Sequence, residues 1–473
     1  MRRSPYLILA ILASVTMLTM YVEAMVIPSL PKIESALSAT NEEAAWVVSA
    51  YLVVGAAVAP LFGKLGDVHG KKLLYIASLS LYTISVFLAG FSPSIYFLIA
   101  VRAVQGFGFS LFPLSLAIIT DVFPKRMVAT AQGIISAMVA IGMTVGMIAG
   151  AYIEEYLGWR AMFHIGSALS ALLLILAYFV LERDRPISRE RIDYMSTLIL
   201  SLGTALFLIY LTETPYKGWT SPLQLAALTS GTALMAGYFL YSMRASNPLV
   251  PLGLLRRRNV MVANVAGFLS GVAMFSLFLG VIYYAEEPQP YGLGLSVIDA
   301  AFTLFPATLA MIVIAPLAGF ATSGLGPKPV LIYGSAVASV GFILFSLFRL
   351  TPAQLVLDSF ITGIGVVSVL IPIVNMIAVS MPPENVAVGL GFNTMVRFLG
   401  SSLGPVLAAT YMSDYKYYVV YALSPLITAQ LAGPPAFSMI FMTGLIFSVL
   451  TGLVSLFAMN YRPRSMGAVQ APA

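Results

Sequence analysis

The sequence predicts an all-α polytopic membrane protein that crosses the bilayer fourteen times, with both termini on the cytoplasmic side. Three observations carry this prediction: an unusually apolar composition, regularly spaced apolar segments, and positive charge concentrated on alternate loops. Of the 473 residues, 59% are hydrophobic and only 9% are charged, whereas a soluble chain carries about 25% charged residues. The shortage of charge extends along the whole chain, which excludes a soluble domain on a single anchor.

The apolar segments have the length and pattern of membrane-spanning helices. Each is close to the ~20 residues that a helix needs to cross the hydrocarbon core. A β-barrel strand would alternate apolar and polar residues, but these segments are apolar on all sides, as in LSALLLILAYFVL at 169–181. We place the fourteen spans at 6–27, 44–63, 73–92, 95–120, 128–155, 160–181, 194–212, 223–243, 259–284, 296–322, 328–349, 353–380, 385–412 and 434–460.

The distribution of charge orients the chain and limits its partners. Most of the 25 Lys and Arg residues lie in the loops that face the cytoplasm when the N-terminus is inside, as the positive-inside rule requires. The net charge of +6 therefore needs only anionic lipid as a partner, and we expect no nucleic acid. The chain has no cysteine and two histidines, so we expect no metal site and no cofactor.

An internal repeat divides the chain into two halves. Residues 131–152 align with residues 389–410, and three glycines of one segment coincide with three of the other. The aligned pairs, at an offset of 258 residues, are Gly133 and Gly391, Gly142 and Gly400, and Gly146 and Gly404. Parallel repeats of this kind are typical of large secondary transporters.

The repeat predicts two six-helix halves with two further helices between them. We assign the first half to 1–185, the linker with its extra pair of spans to 186–258, and the second half to 259–473. No repeated motif falls within the extra pair, so we expect that pair to be peripheral.

Three motifs resemble those of a known family, the major facilitator superfamily. The segment GKLGDVHGKK at 63–72 resembles its signature loop, G-x-x-x-D-x-x-G-[RK]-[RK], and RAVQGFG at 102–108 resembles its R-x-x-Q-G-x-G element. Residues 142–150 resemble the antiporter motif G-x-x-x-G-P-x-x-G, with Met147 in place of the proline. With fourteen spans, the whole chain resembles the fourteen-helix drug:proton antiporter branch. The resemblance implies the two-halved fold and proton-driven export.

The signature loop is a candidate conformational latch. Asp67 can accept hydrogen bonds from the N-terminal amides of a helix or pair with a cation, and Asp121 can pair with one of the two lysines of the motif. Such contacts would hold the cytoplasmic side shut and break when the halves separate; a static turn is the alternative. The second-half copy has Ser323 in place of Asp67. The candidate latch residues are Gly63, Asp67, Gly70, Lys71, Lys72 and Asp121.

Gly142, Gly146 and Gly150 recur every four residues and therefore lie on one face of span five. Small residues at this spacing permit close helix packing in membranes. Two interpretations remain open, namely tight packing alone and a specific role in antiport. A compromise between them is a smooth, close seam that lets the two halves rock without an ion leak.

Charged residues within the spans are the candidates for proton coupling. A charge at the bilayer centre costs roughly 2.5–3.5 kcal/mol on insertion scales, so such residues face a cavity or a partner. Glu23 is the first candidate for a proton carrier, because burial favours its neutral form; a structural, hydrogen-bonded role is the alternative. Arg102 could hold Glu23 ionised or compete with its proton. Asp358 is a further candidate, and Arg397 needs a partner such as Asp358 or backbone carbonyls.

Three functional classes follow from these features. The first is proton-coupled export of lipophilic or amphipathic small molecules by a monomer in the cell membrane. The alternatives are a proton-coupled uptake symporter for a small metabolite and a non-transporting receptor or scaffold. The chain has no G-x-x-x-x-G-K-[ST] sequence, so it has no phosphate-binding loop of its own for ATP and we expect no enzymatic activity. Few polar residues in the spans favour export.

Overall fold

The computed structural model describes residues 4–27, 29–182, 193–245, 248–423 and 426–461. This part of the chain contains fourteen helices long and apolar enough to cross a membrane, which confirms the predicted number. The boundary predicted at 185 lies outside the described residues. In chain order, spans one to fourteen are Pro5–Ala24, Trp46–His69, Lys71–Ala89, Ile95–Val122, Met127–Leu157, Trp159–Val180, Tyr194–Pro215, Pro222–Ser242, Arg258–Glu286, Ile298–Leu325, Pro327–Leu347, Pro352–Ser380, Pro383–Asp414 and Pro434–Ser455.

Local sequence signals set where several of these helices begin. The helix of span two begins at Asn41, where Thr40 and Glu43 form a reciprocal capping box. Thr351 and Gln354 form the same arrangement at the start of span twelve. In both places two backbone N–H groups that have no partner within the helix are satisfied by side chains. Shorter helices, Leu30–Leu37 and Leu252–Leu255, lie outside the spans.

The predicted end of span two was wrong. The helix does not stop at Gly63 but continues to His69, and the turn into span three is confined to Gly70. Gly70 has a φ of 103°, a conformation that glycine adopts without steric penalty. Most of the signature segment is therefore the last two turns of a helix, and its Lys64 and Asp67 are buried against the rest of the protein.

One contact between the halves joins spans two and thirteen. A methyl group on Gly63 would lie 2.4 Å from the carbonyl oxygen of Ala387, and one on Gly391 would lie 2.5 Å from that of Ala59. The two backbones approach this closely only because both positions are glycine.

A second contact joins spans five and ten, and it repeats the first. A methyl group on Gly319 would lie 2.6 Å from the carbonyl oxygen of Ala129, and one on Gly133 would lie 2.6 Å from that of Ala315. These residues are the repeat equivalents of the first set, at offsets of 256 to 258. The halves are therefore related by an approximate two-fold axis, and each seam uses the same pair of glycines.

The first helix of the extra pair packs against both halves from the outside, and no residue of the pair lines the cavities between the halves in the described part of the chain. Ser201 of span seven donates a hydrogen bond to the carbonyl of Ala57 in span two at 2.7 Å. Leu208 packs against Val53 of the first half and Leu399 of the second. Span seven thus covers the seam between spans two and thirteen from outside, whereas span eight packs on span seven and is mostly exposed.

A β-hairpin between spans thirteen and fourteen is the one sheet in the described residues. Strands β1 (Lys416–Leu423) and β2 (Leu426–Ala432) pair antiparallel. The backbone N–H of Ala432 donates to Glu287 at 2.6 Å, which ties the hairpin to the outer end of span nine. Sequence reasoning missed it, although a run of tyrosines and valines is typical of a strand.

Candidate functional site

Arg102 anchors a polar cluster inside the first half. Its side chain is fully buried in span four. Its Nε donates to the carbonyl of Val47 and its Nη1 to the side chain of Gln105, both at 2.8 Å. The guanidinium also lies over the ring of Tyr51, 4.8 Å from its centroid. The R-x-x-Q motif therefore fixes a cation between spans two and four.

Glu23, at the end of span one, belongs to the same cluster. Its side chain is only half-buried, yet it interacts electrostatically with Arg102 and is approached by the side chain of Tyr51. Tyr82 of span three completes the group, and its hydroxyl donates to the carbonyl of Thr19 at 3.5 Å. The structure thus brings two of the predicted residues together, as a carboxyl group beside a fixed cation.

Asp358 lies apart from this cluster. Its side chain is buried near the start of span twelve, and its Oδ2 has no hydrogen-bond partner among the described residues. No charged group in the described part of the chain interacts with it.

Arg397 does not pair with Asp358, contrary to one expectation. Its guanidinium instead lies over the rings of Phe112 and Phe398, 5.1 and 5.8 Å from their centroids. Phe112 belongs to span four, so this contact crosses between the halves.

Asp67 joins the halves at the cytoplasmic end. Its carboxylate accepts hydrogen bonds from the backbone N–H groups of Val388 at 3.0 Å and Ala387 at 3.4 Å. Both belong to the first turn of the helix that begins at Val386, whose own N-cap residue, Asn385, contributes no side-chain bond. A carboxylate from one half therefore caps a helix of the other, where free N–H groups and the helix dipole favour negative charge.

The two lysines of the signature motif have different partners. Lys71 is buried and its Nζ donates to Asp121 at 2.5 Å, while the Lys71 charge also acts on Asp67. Lys72 instead donates to the carbonyls of Tyr178, at 2.9 Å, and Leu181 at the end of span six. The sequence left the partner of Asp121 open, and the structure gives Lys71.

The antiporter-motif glycines pack within the first half. Methyl groups on Gly142 and Gly146 would lie 2.3 and 2.4 Å from carbonyl oxygens of Met17 and Tyr21, and Gly150 faces Met25 in the same way. All three contacts are with span one or with the residue that caps its end. The expected seam between the halves is therefore not made by these glycines but by Gly63, Gly133, Gly319 and Gly391.

A cavity of about 370 Å³ lies between the halves close to the candidate latch. Asp121 and Lys125 line it from the first half, and Asn375 and Val386 line it from the second. The Tyr461 hydroxyl donates to the side chain of Asn375 at 3.0 Å on its wall. The halves are thus in contact along the two glycine seams but leave a space between them.

Residues 12–405 match the family model of the Major Facilitator Superfamily. The chain belongs to this superfamily. The structure agrees, since it aligns with a crystal structure of the human organic anion transporter MFSD10 (TETRAN) with a TM-score of 0.68 at 15% identity, covering 96% of this chain and 99% of that one.

Superfamily members similar to this chain include bacterial drug-resistance proteins. The Multidrug resistance protein B homolog of Mycobacterium tuberculosis is 28% identical over 406 residues, which is 83% of this chain and 74% of the relative. The Tetracenomycin C resistance and export protein of Streptomyces glaucescens is 26% identical over 388 residues, which is 81% and 71% respectively. The protein is a multi-pass transporter of the cell membrane, from a family whose members are not enzymes.

Proposed function

We propose that the protein exports lipophilic or amphipathic small molecules in exchange for protons, by alternating access and as a monomer. The names of the two relatives support export. Both are named as resistance proteins, and the Streptomyces protein is also named as an export protein. The apolar spans support a substrate that partitions from the bilayer. A hydrophilic metabolite would need more polar groups along the central helices.

Glu23 carries the proposal. A carboxyl group that is only half-buried in the membrane, beside the fully buried Arg102, can exist in two protonation states. Ionised, it is stabilised by the cation; protonated, it avoids the cost of a charge in low dielectric. A proton can shift a conformational equilibrium only if it binds the two conformations with different affinity. Movement that changes the distance from Glu23 to Arg102 would supply that difference.

The contact made by Asp67 supports the alternating-access part of the proposal. In this conformation the cap on span thirteen holds the cytoplasmic ends of the halves together. We propose that the halves 1–185 and 259–473 rock about the glycine seams, while 186–258 follows them, and that this cap breaks when the cytoplasmic side opens.

The test is gradient-driven transport by Glu23→Gln in proteoliposomes. One pH unit supplies about 1.4 kcal/mol per proton, so the wild-type protein should accumulate a lipophilic dye against its gradient. The introduced amide would mimic the protonated carboxyl permanently. The variant should bind the dye with unchanged affinity and lose accumulation down to the level of protein-free liposomes.

Glu155→Gln, which removes an exposed carboxylate, is the control and should retain accumulation. Full gradient-driven transport by Glu23→Gln would assign Glu23 a structural role. The proton site would then be sought at Asp358, with Asp358→Asn in the same assay.

A further inference from the structure

Arg397 is a buried cation that the proton-coupling cluster does not use. It lies near the middle of the helix Val386–Asp414 and its side chain is only 8% exposed. Arg102 interacts with Glu23 and makes two directed hydrogen bonds. By contrast, no carboxylate and no hydrogen-bond acceptor in the described ranges contacts Arg397.

An uncompensated charge at this depth lowers the stability of the protein, so its presence suggests a function. Intramembrane charges normally pair with one another or line a pathway. The rings of Phe112 and Phe398 provide attraction through their π faces, which is worth about 2 kcal/mol when desolvated. They do not neutralise the charge, and no acceptor for the guanidinium N–H groups lies among the residues that the structure describes.

A second unpartnered polar group faces the same space. Arg397 lines a small cavity between the halves together with Ser136 of span five. Ser136 is 6% exposed, and its Oγ has no hydrogen-bond partner among the residues that the structure describes. The remaining walls are apolar and include Met274, Phe278 and Met311.

We propose that Arg397 and Ser136 bind the anionic group of an amphipathic substrate, while the apolar walls take up its lipophilic part. This inference rests on the proposed export function and names its substrate class, a lipophilic carboxylate, sulfonate or phosphate. A guanidinium binds such groups through two parallel hydrogen bonds. The adjacent hydroxyl supplies a further donor.

The position of the site between the halves fits a transported ligand. Ser136 and Phe112 come from the first half, and Arg397 and Met274 come from the second. The cavity has room for about one water molecule in this conformation. A substrate therefore enters when the halves separate here, and its anionic group replaces the aromatic rings as the partner of Arg397.

The test compares two fluorescent probes that share one aromatic skeleton. 1-Anilinonaphthalene-8-sulfonate carries a sulfonate, and N-phenyl-1-naphthylamine is its neutral counterpart. Binding is measured on the full chain in proteoliposomes, with protein-free liposomes subtracted. Arg397→Gln should weaken sulfonate binding about tenfold or more, as expected for loss of a charge-assisted hydrogen bond, and leave binding of the neutral probe unchanged.

Arg397→Lys keeps the charge and should retain part of the preference for the sulfonate. Ser136→Ala should weaken sulfonate binding by a smaller factor than Arg397→Gln does. The control is Arg349→Gln, which removes an arginine at the outer end of span eleven, bonded to Ser438, and should leave both affinities unchanged. An equal loss for both probes in Arg397→Gln and Arg397→Lys would show that Arg397 only positions span thirteen and would overturn the inference.

An unchanged ratio of the two affinities in Arg397→Gln would also overturn it. This readout is equilibrium binding without a gradient, so it is independent of proton coupling. Wild-type protein that prefers the sulfonate through Arg397 but drives no accumulation would contradict the proposed export and leave the anion site intact.

Discussion

The two arginines within the spans are the same residue type in opposite environments. Arg102 has fixed acceptors on two helices and an acid nearby, so its charge is compensated within the protein. Among the described residues, the partners of Arg397 are aromatic faces. This contrast separates a cation that holds spans two and four together from one that we propose binds a ligand.

Replacement of Arg102 by lysine should destabilise the protein although the charge is kept. A lysine ammonium on a flexible stem cannot reproduce the directed pair of bonds to Val47 and Gln105. We expect Arg102→Lys to lower the melting temperature of the purified protein in detergent by several degrees, because the free energy of unfolding falls by about 1–3 kcal/mol. We also expect it to abolish gradient-driven transport. Arg256→Lys, at an exposed position, is the control; equal melting temperatures would show that the cluster adds no stability.

At the scale of the helices, glycines decide how close the spans approach. Lipid tails are as apolar as the side chains, so helix association in a membrane depends on packing rather than on the hydrophobic effect. Gly142 and Gly146 bring the backbone of span five against that of span one. The four seam glycines do the same between the halves.

Gly142→Ala should therefore destabilise the first half. Its Cβ would lie 2.3 Å from the carbonyl oxygen of Met17, a backbone atom that cannot move without displacing span one. We expect a lower melting temperature and reduced yield of folded protein. Gly237→Ala in span eight is a matched control, because nothing lies within 4 Å of its added methyl and alanine is the better helix former by up to about 1 kcal/mol. A Gly142→Ala protein as stable as Gly237→Ala would contradict this account.

The start points of two helices explain why the cap made by Asp67 has no counterpart at the other seam among the described residues. Within span thirteen the α-helix begins at Val386. The N–H groups of Ala387 and Val388 therefore lie in its first turn and can donate to Asp67. In the equivalent span five the helix already begins at Lys125. The N–H groups at the corresponding positions are therefore bonded within that helix. A carboxylate at Ser323 would find no donors there.

At the scale of the whole molecule, few polar contacts tie the two halves together within the part of the chain that the structure describes. Beside the glycine seams, Asp67 and span seven link the first half to the second. Removing one contact should therefore shift the balance between conformations without unfolding either half.

Asp67→Asn should shift the protein toward the conformation that is open to the cytoplasm. The amide loses the negative charge at the helix N-terminus, which is worth about 0.3–1 kcal/mol and more where partly buried. We expect the population of the open form to rise about twofold to tenfold, turnover to slow and substrate affinity to stay nearly unchanged. Because the chain has no cysteine, nitroxide labels at Phe179→Cys and Tyr333→Cys, both exposed, can report the distance between the halves.

The matched control is Asp299→Asn, which removes an acid from the first turn of span ten, where it serves its own helix. That variant should give the wild-type distance distribution. Normal turnover with strongly weakened binding in Asp67→Asn would place Asp67 at the substrate and not at a latch.

The sequence alone determined the membrane class, the fourteen spans, the two-fold repeat and the family, because apolar length, cation placement and glycine spacing are local or periodic properties of the chain. It also identified Glu23, Arg102 and Asp67 as unusual. It did not determine their partners. Three features depend on where helices meet in space. They are the hydrogen bond from Val388 to Asp67, 321 residues away, the separation of Arg397 from Asp358, and the packing of span seven over a seam. Where helices meet is decided by packing between distant segments, which leaves no periodic trace in the sequence.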